Sequence, residues 1–236
     1  MDDESDKIDA LIASLEQSDK RAVRKAVDAL ISMTSSATEV ADRLRALLDR
    51  APAEKRWPIA YVLAQIASLS SPCLDALKDA LDAADPDIRW AVALLLVRLG
   101  KKSDTAVARH LIELVHSGKP TQRRMAVYCL RDIGAQDTGV GRALIDALGD
   151  GDALVRVAVI TSLKVMPQIG GAALDLLLRM FAEDADLRVR ASAALALARL
   201  GAGRSDVRAA LDNATRSNDP ILSKAARSAL KILEKR

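Results

Sequence analysis

Aromatic side chains are almost missing from this sequence: 236 residues contain two Trp, two Tyr and one Phe. Any core must therefore be built from aliphatic residues, and half of the chain is apolar, enough to bury one at this length and to exclude disorder. Two cysteines, Cys73 and Cys129, are too few for a disulfide framework, which points to a reducing compartment. Two histidines leave little room for metal or acid–base chemistry. No apolar run is suited to a membrane. The longest uncharged stretch, Trp57 to Leu74, contains Pro58, Gln65, Ser68, Ser70, Ser71 and Pro72 and reads as helix, turn, helix. Charge of one sign is lacking too, since 35 basic side chains face 32 acidic ones, so wrapping of nucleic acid is not expected. The first residues, Met1-Asp2-Asp3-Glu4-Ser5-Asp6, are acidic, the reverse of a targeting peptide. A soluble cytoplasmic protein is expected.

What the sequence has in abundance is repetition. The pattern is plainest in Asp85-Pro-Asp-Ile-Arg89-Trp-Ala91, Asp152-Ala-Leu-Val-Arg156-Val-Ala158 and Asp186-Leu-Arg-Val-Arg190-Ala-Ser192. With the arginine as position zero, the anchors are Arg24, Arg56, Arg89, Arg123, Arg156, Arg190 and Ser223, spaced by 32, 33, 34, 33, 34 and 33 residues. Seven residues after each stands Ile31, Leu63, Leu96, Leu130, Leu163, Leu197 or Leu230. Twelve before each stands Ile12, Leu44, Leu77, Leu111, Leu144, Leu178 or Leu211. Two columns of Leu or Ile kept through seven repeats fix the period.

Each repeat holds two apolar segments of helical spacing. In the second, apolar residues fall at −1, +2, +3, +6, +7 and +10, one stripe at about 100° per residue. The first is shorter, as in Leu74-Asp-Ala-Leu77-Lys-Asp-Ala-Leu81. Between them, Asp85, Asp152, Asp186 and Asp219 stand four residues before the anchor, where a carboxylate accepts from the unpaired N–H groups of a helix start. Pro86 and Pro220 follow two of these. Gly100, Gly134 and Gly201 at +11 are expected as left-handed caps. The reading is fourteen helices and no strands. A helix pair of about 33 residues cannot cover its own apolar face, so the pairs must stack, giving one solenoid over residues 1–236 with no domain boundary.

The Asp-x-x-Val-Arg-x-Ala core with Leu at +7 resembles HEAT-like repeats, in particular the short bacterial type also found in phycobilisome-lyase proteins, over residues 6–236. The resemblance implies an all-α, α-solenoid fold of about seven two-helix repeats. It also implies ladders of anchor Arg and turn Asp along the stack, and so a structural role for Arg24, Arg56, Arg89, Arg123, Arg156 and Arg190. The motif is specific for fold and unspecific for function. Repeats 2 and 4 depart from it. Repeat 2 has Lys55 at −1 and Pro58 at +2, which should kink or delay its helix. Repeat 4 carries Arg109 and His110 in its first helix and a Gly118-Lys119-Pro120 turn without Asp. Drift at tolerant sites and bending toward a purpose both account for such departures.

Catalytic constellations are not found. His110 and His116 are six residues apart and fall on different faces of a helix. Deoxyhypusine hydroxylase, a HEAT-like enzyme, carries repeated His-Glu pairs that bind iron, and this sequence contains no His-Glu dipeptide. Cys129 at +6 and Cys73 at a helix start read as small buried hydrophobes. Gly139-Val-Gly141 and Gly170-Gly171 follow no strand and form no phosphate loop. HEAT-like DNA glycosylases use tryptophans with a nearby Asp, but one turn beyond Trp57 and Trp90 stand Tyr61 and Leu94. No enzyme activity, metal, cofactor or small-molecule substrate is expected. From Arg199 onward nine basic residues face four acidic ones, which suits either a solvated end repeat or weak nucleic-acid binding.

Every Trp and Tyr occupies one strip. Trp57 and Trp90 are at +1, Tyr61 and Tyr128 at +5, opposite the apolar stripe in repeats 2, 3 and 4. Leu94 and Val97 extend the strip, and Arg124 and Arg131 border it. Second helices line the concave face of α-solenoids, so the strip is expected to bind a protein segment, with Trp57, Tyr61, Trp90, Leu94 and Tyr128 as anchors and Arg124 and Arg131 steering acidic groups. The alternative is that the rings fold over the seams between adjacent helices and are largely structural. A bilin-lyase-like role, cradling a tetrapyrrole, is the alternative that the resemblance supplies.

Overall fold

Helix follows helix wherever the three-and-four apolar spacing recurs. The computed structural model describes residues 2–102, 105–134 and 138–235, and no strand occurs among them. The chain divides into two compact units, residues 1–96 and 97–236. The first contains α1 (Asp2–Leu15), α2 (Lys20–Ser32), α3 (Ala37–Arg50), α4 (Ala53–Ile66), α5 (Ser71–Ala80) and most of α6 (Pro86–Lys101), which crosses the division. The second contains α7 (Thr105–Ser117), α8 (Pro120–Ile133), α9 (Thr138–Asp146), α10 (Ala153–Leu163), α11 (Pro167–Gly170), α12 (Leu174–Glu183), α13 (Leu187–Leu200), α14 (Ser205–Ala214) and α15 (Pro220–Glu234). In the first unit α1 packs on α2, α3 on α4, and α2 on α4. In the second, α8, α10, α13 and α15 pack one on the next, each with its own first helix beside it. This is the α-solenoid arrangement of about seven two-helix repeats.

The two leucine columns form the core. Leu44, Leu77, Leu111, Leu144 and Leu211 are buried, as are Leu63, Leu96, Leu130, Leu163 and Leu197. The exceptions correct the register. In repeat 1 Ile12 and Ile31 are only half-buried and Arg24 is exposed, while Leu30 is fully buried and Asp19 caps α2 through the Arg21 N–H at 3.0 Å. Cap and core together put Val23, not Arg24, at the anchor position. The first spacing is then 33, like the others. The first helix of repeat 6 is also irregular: it breaks between α11 and α12 at Gly170–Ala173, and Leu177 is buried where Leu178 was expected. Repeat 4, expected to be irregular, closes its turn another way, with the Gln122 side chain accepting from the Lys119 N–H at 3.0 Å.

The helix starts follow the carboxylates. Asp152 accepts from the N–H groups of Leu154 and Val155, Asp186 from Arg188, Asp219 from Ile221 and Leu222, and Asp85 from Asp87, at 2.8–3.1 Å. Each such cap contributes on the order of 1 kcal/mol. Pro58 does not delay α4, which begins three residues before its anchor like α6, α8, α10, α13 and α15. The bond it forgoes is one to exposed Glu54 in the first turn. Of the three +11 glycines only Gly134 is left-handed, at φ 98°. Gly201 caps α13 at φ −100°, and there it is space that demands glycine: a Cβ would stand 3.0 Å from both the Leu197 carbonyl oxygen and Val207 Cγ2.

An arginine ladder runs through the second unit, but its partners are not the capping aspartates. Arg123 Nε and Nη2 meet Asp150 Oδ2 and Oδ1, both at 2.7 Å, and Arg156 Nε and Nη2 meet Asp184 at 2.9 and 2.7 Å. Asp150 and Asp184 lie two residues before the caps, and each also accepts from the cap's own N–H. Arg156 Nη1 donates to the Asp150 carbonyl at 2.7 Å, so the two rungs join. The capping carboxylate is already engaged by its helix, which leaves the preceding one for the arginine. Arg56, Arg89 and Arg190 make no such pair among the described residues. They donate to main-chain carbonyls of Ala51, of Ala83 and Ala84, and of Phe181.

Candidate interaction site

The seven side chains singled out in the sequence fall in both units: Trp57, Tyr61, Trp90 and Leu94 in the first, Arg124, Tyr128 and Arg131 in the second. On α4 the run Pro58, Ile59, Ala60, Val62, Leu63, Ala64 faces inward and is buried. Trp57 and Tyr61 are left on the outer side, one turn apart, both half-buried. On α6, Val92, Ala93, Leu95 and Leu96 take the core. Trp90 and Leu94 are thereby turned outward, 47% and 65% exposed. Residues four apart on a helix are neighbours, so the indole and the isobutyl group form one apolar surface.

On α8 the buried set is Gln122, Met125, Ala126, Val127, Cys129 and Leu130, and Arg124, Tyr128 and Arg131 lie half-buried on the other side. The Arg131 guanidinium stands 5.2 Å from the Tyr128 ring centroid, a cation–π distance. It also pairs with Asp132, Nε–Oδ1 2.6 Å and Nη2–Oδ2 3.0 Å, and that hydrogen bond raises its pKa further. Arg131 therefore holds Tyr128 in place with its charge already met. Arg124 makes no ion pair among the described residues.

The solvent-facing strip is thus uneven. Trp90 and Leu94 are exposed as expected, whereas Trp57, Tyr61 and Tyr128 are half-covered. Leu154, Val165 and Ile221 are the other exposed large hydrophobics among the described residues, and no two of them are one turn apart. Sequence reasoning passed over the carboxylates at −6, although the Asp150-Gly-Asp152 and Asp184-Ala-Asp186 doublets would have signalled them.

Cys73 and Cys129 are buried, and burial pushes both thiols up to about 12, where no thiolate forms at neutral pH. The His110 ring bonds the Ala106 carbonyl oxygen at 2.7 Å within its own helix, and His116 is exposed. Among the described residues no group of three or more His, Cys, Asp or Glu is placed to hold a metal ion. No single helix among them is long and apolar enough to cross a membrane.

Residues 141–231 match the sequence profile of HEAT repeats. The sequence finds no match among curated proteins. Cex1p is similar in fold, at 13% identity and a TM-score of 0.56, over 97% of this chain and 53% of that one. A designed armadillo repeat protein in complex with the peptide (KR)4 is similar at 15% identity and a TM-score of 0.50, over 95% of this chain and 98% of that one. Human deoxyhypusine hydroxylase aligns at 19% identity with a TM-score of 0.46, over 98% of this chain and 97% of that one. At identities this low, the likeness to Cex1p and the armadillo protein is one of fold. Seven-fold repetition in the sequence and helix pairs stacked by their second helices make this chain a helical-repeat protein, and its residues 141–231 are similar to HEAT repeats.

Proposed function

We propose that the chain is a non-catalytic scaffold that binds a partner protein through the outer side of its second helices, with Trp90 and Leu94 of α6 as the main anchors. The exposure of these two, at 47% and 65%, carries the reading. A chain that uses two tryptophans in 236 residues leaves one of them 47% exposed beside an exposed leucine. Such a surface is unfavourable until something covers it, and Trp is enriched where binding energy concentrates. Within the first unit Trp57 and Tyr61 on α4 offer further half-exposed rings, and the second unit by itself offers Tyr128 on α8. Arg124 supplies a positive charge that favours an acidic partner, with Arg131 contributing through its stacking on Tyr128. A cytoplasmic setting belongs to the same reading, since both cysteines are free thiols.

The test is affinity capture from native lysate with wild type and Trp90→Ala/Leu94→Ala, followed by titration of the captured protein in purified form. The double variant should melt within a few degrees of wild type and lose more than about 1 kcal/mol of binding, the mark of a hot spot. Equal binding by the double variant would move the interface elsewhere.

A further inference from the structure

We infer that the cleft between α12, α14 and α15 is a binding site for a carboxylate carried on a small apolar body. The argument starts from the ladder. Arg123 and Arg156 each present Nε and Nη2 to a carboxylate six residues before the next anchor, Asp150 and Asp184. Arg190 is the next arginine in the series. The residue six before Ser223 is Ser217, so the third rung has no acid of its own.

Arg190 uses Nε on the Phe181 carbonyl oxygen at 2.9 Å, and its Nη groups meet no carboxylate among the described residues. Where the third aspartate would stand there is a cleft of about 450 Å³. Arg190 and Arg216 line it together with Leu178, Phe181 and Leu222, and no acidic residue is among its lining residues in the described structure. Among the described residues the Arg216 side chain meets the neutral amide oxygen of Asn213, at 3.3 Å, and no carboxylate. Two cations without a carboxylate partner among the described residues, one of them in the register where this protein twice binds a carboxylate, select an anion; with Nε held by Phe181, Arg190 has its two Nη groups left to offer it. The apolar side of the cleft selects what carries it. Arg56 and Arg89 also lack a carboxylate, because Ala83 and Ser117 stand at the corresponding positions. At Arg190 the missing acid coincides with an open space and a second arginine.

The substitution Ser217→Asp tests this directly, because it supplies the third rung from within. The main chain will accept it: Asp150 and Asp184 each bond the N–H two residues on, and Ser217 Oγ already does so to Asp219. The probe is sodium hexanoate, titrated into the intact protein by calorimetry and by NMR, with 1-hexanol as the uncharged control. Wild type should bind hexanoate at least about tenfold more tightly than hexanol, the ratio a charge-assisted pair supplies. Ser217→Asp should melt at a higher temperature and lose hexanoate binding, and Arg190→Gln should lose it without the gain in melting temperature. Trp90→Ala/Leu94→Ala should bind hexanoate as wild type does, so the cleft and the α6 anchors succeed or fail separately.

The source of the carboxylate is read from acetyl-Leu-Glu-Leu-amide and its Gln counterpart. Preference for the Glu peptide over hexanoate identifies an acidic side chain of a partner protein. Binding of hexanoate without the peptide identifies a free small acid. Either supports the site. Failure of wild type to bind hexanoate or the Glu peptide, equal binding of hexanol, or undiminished binding by Ser217→Asp overturns it.

Discussion

Arg156 on α10 closes a two-point ion pair with Asp184, Nε–Oδ2 2.9 Å and Nη2–Oδ1 2.7 Å, across 28 residues of sequence and from one repeat to the next. The two side chains are 15% and 9% exposed, so the pair is largely shielded from water. It ties the start of one second helix to the turn before the following one. The bond from Asp184 to the Asp186 N–H, at 2.9 Å, makes that turn part of the same unit.

Arg156→Ala should therefore destabilise the protein by about 1–3 kcal/mol, since it leaves Asp184 shielded without its cation. Urea unfolding followed by circular dichroism measures this. Arg24→Ala, removing an exposed arginine outside the anchor register, should cost less than about 0.5 kcal/mol. Equal losses would dissolve the distinction between the two positions.

Acid should act on the same rungs. Burial pushes the carboxyls of Asp150 and Asp184 up, but hydrogen bonds from Arg123 and Arg156, the N–H groups of Asp152 and Asp186, and the arginine charges outweigh it and hold both below the ordinary 3.8. A carboxylate with a lowered folded pKa contributes stability that is present above the unfolded value and is lost as pH falls through the lowered one. Stability should decline below about pH 4 from this source. In Asp184→Asn the decline should be shallower, measured as melting temperature against pH.

The two tryptophans should part company in stability. Trp57 is half-buried on α4, and Trp57→Ala should cost about 1–2 kcal/mol, a share of the full burial penalty. Trp90→Ala, at 47% exposure, should cost less. Thermal melts of the two variants under one condition decide it, and early melting of Trp90→Ala with undiminished partner binding would make its ring a packing element.

Deleting residues 125–157 removes one period and joins Arg124 to Ala158. Because neighbouring repeats supply the burial, a shorter helical protein should result, with Arg123 taking the place of Arg156 opposite Asp184. Circular dichroism should show native-like helix content and a cooperative melt. Removing half as many residues puts apolar positions on the wrong face and should abolish cooperative unfolding.

Much of this protein was already determined by the sequence. Leu44, Leu77, Leu111, Leu144 and Leu211 at one place in the period, and Leu63, Leu96, Leu130, Leu163 and Leu197 at another, specify helix pairs that must stack, because apolar spacing along a helix is a local property. Asp85, Asp152, Asp186 and Asp219 mark helix starts for the same reason, since a cap bonds to N–H groups two or three residues away. What the tertiary structure alone decided involves atoms brought from another repeat. Arg156 chooses Asp184 over Asp186 because the cap is already bonded to its own helix. Repeat 1 takes Val23 in the anchor place because Leu30 is the side chain its neighbours bury. Trp90 is 47% exposed while Trp57 is half-buried, although both are at +1, since coverage at the edge of a helix depends on the rest of the fold and not on the spacing within the helix.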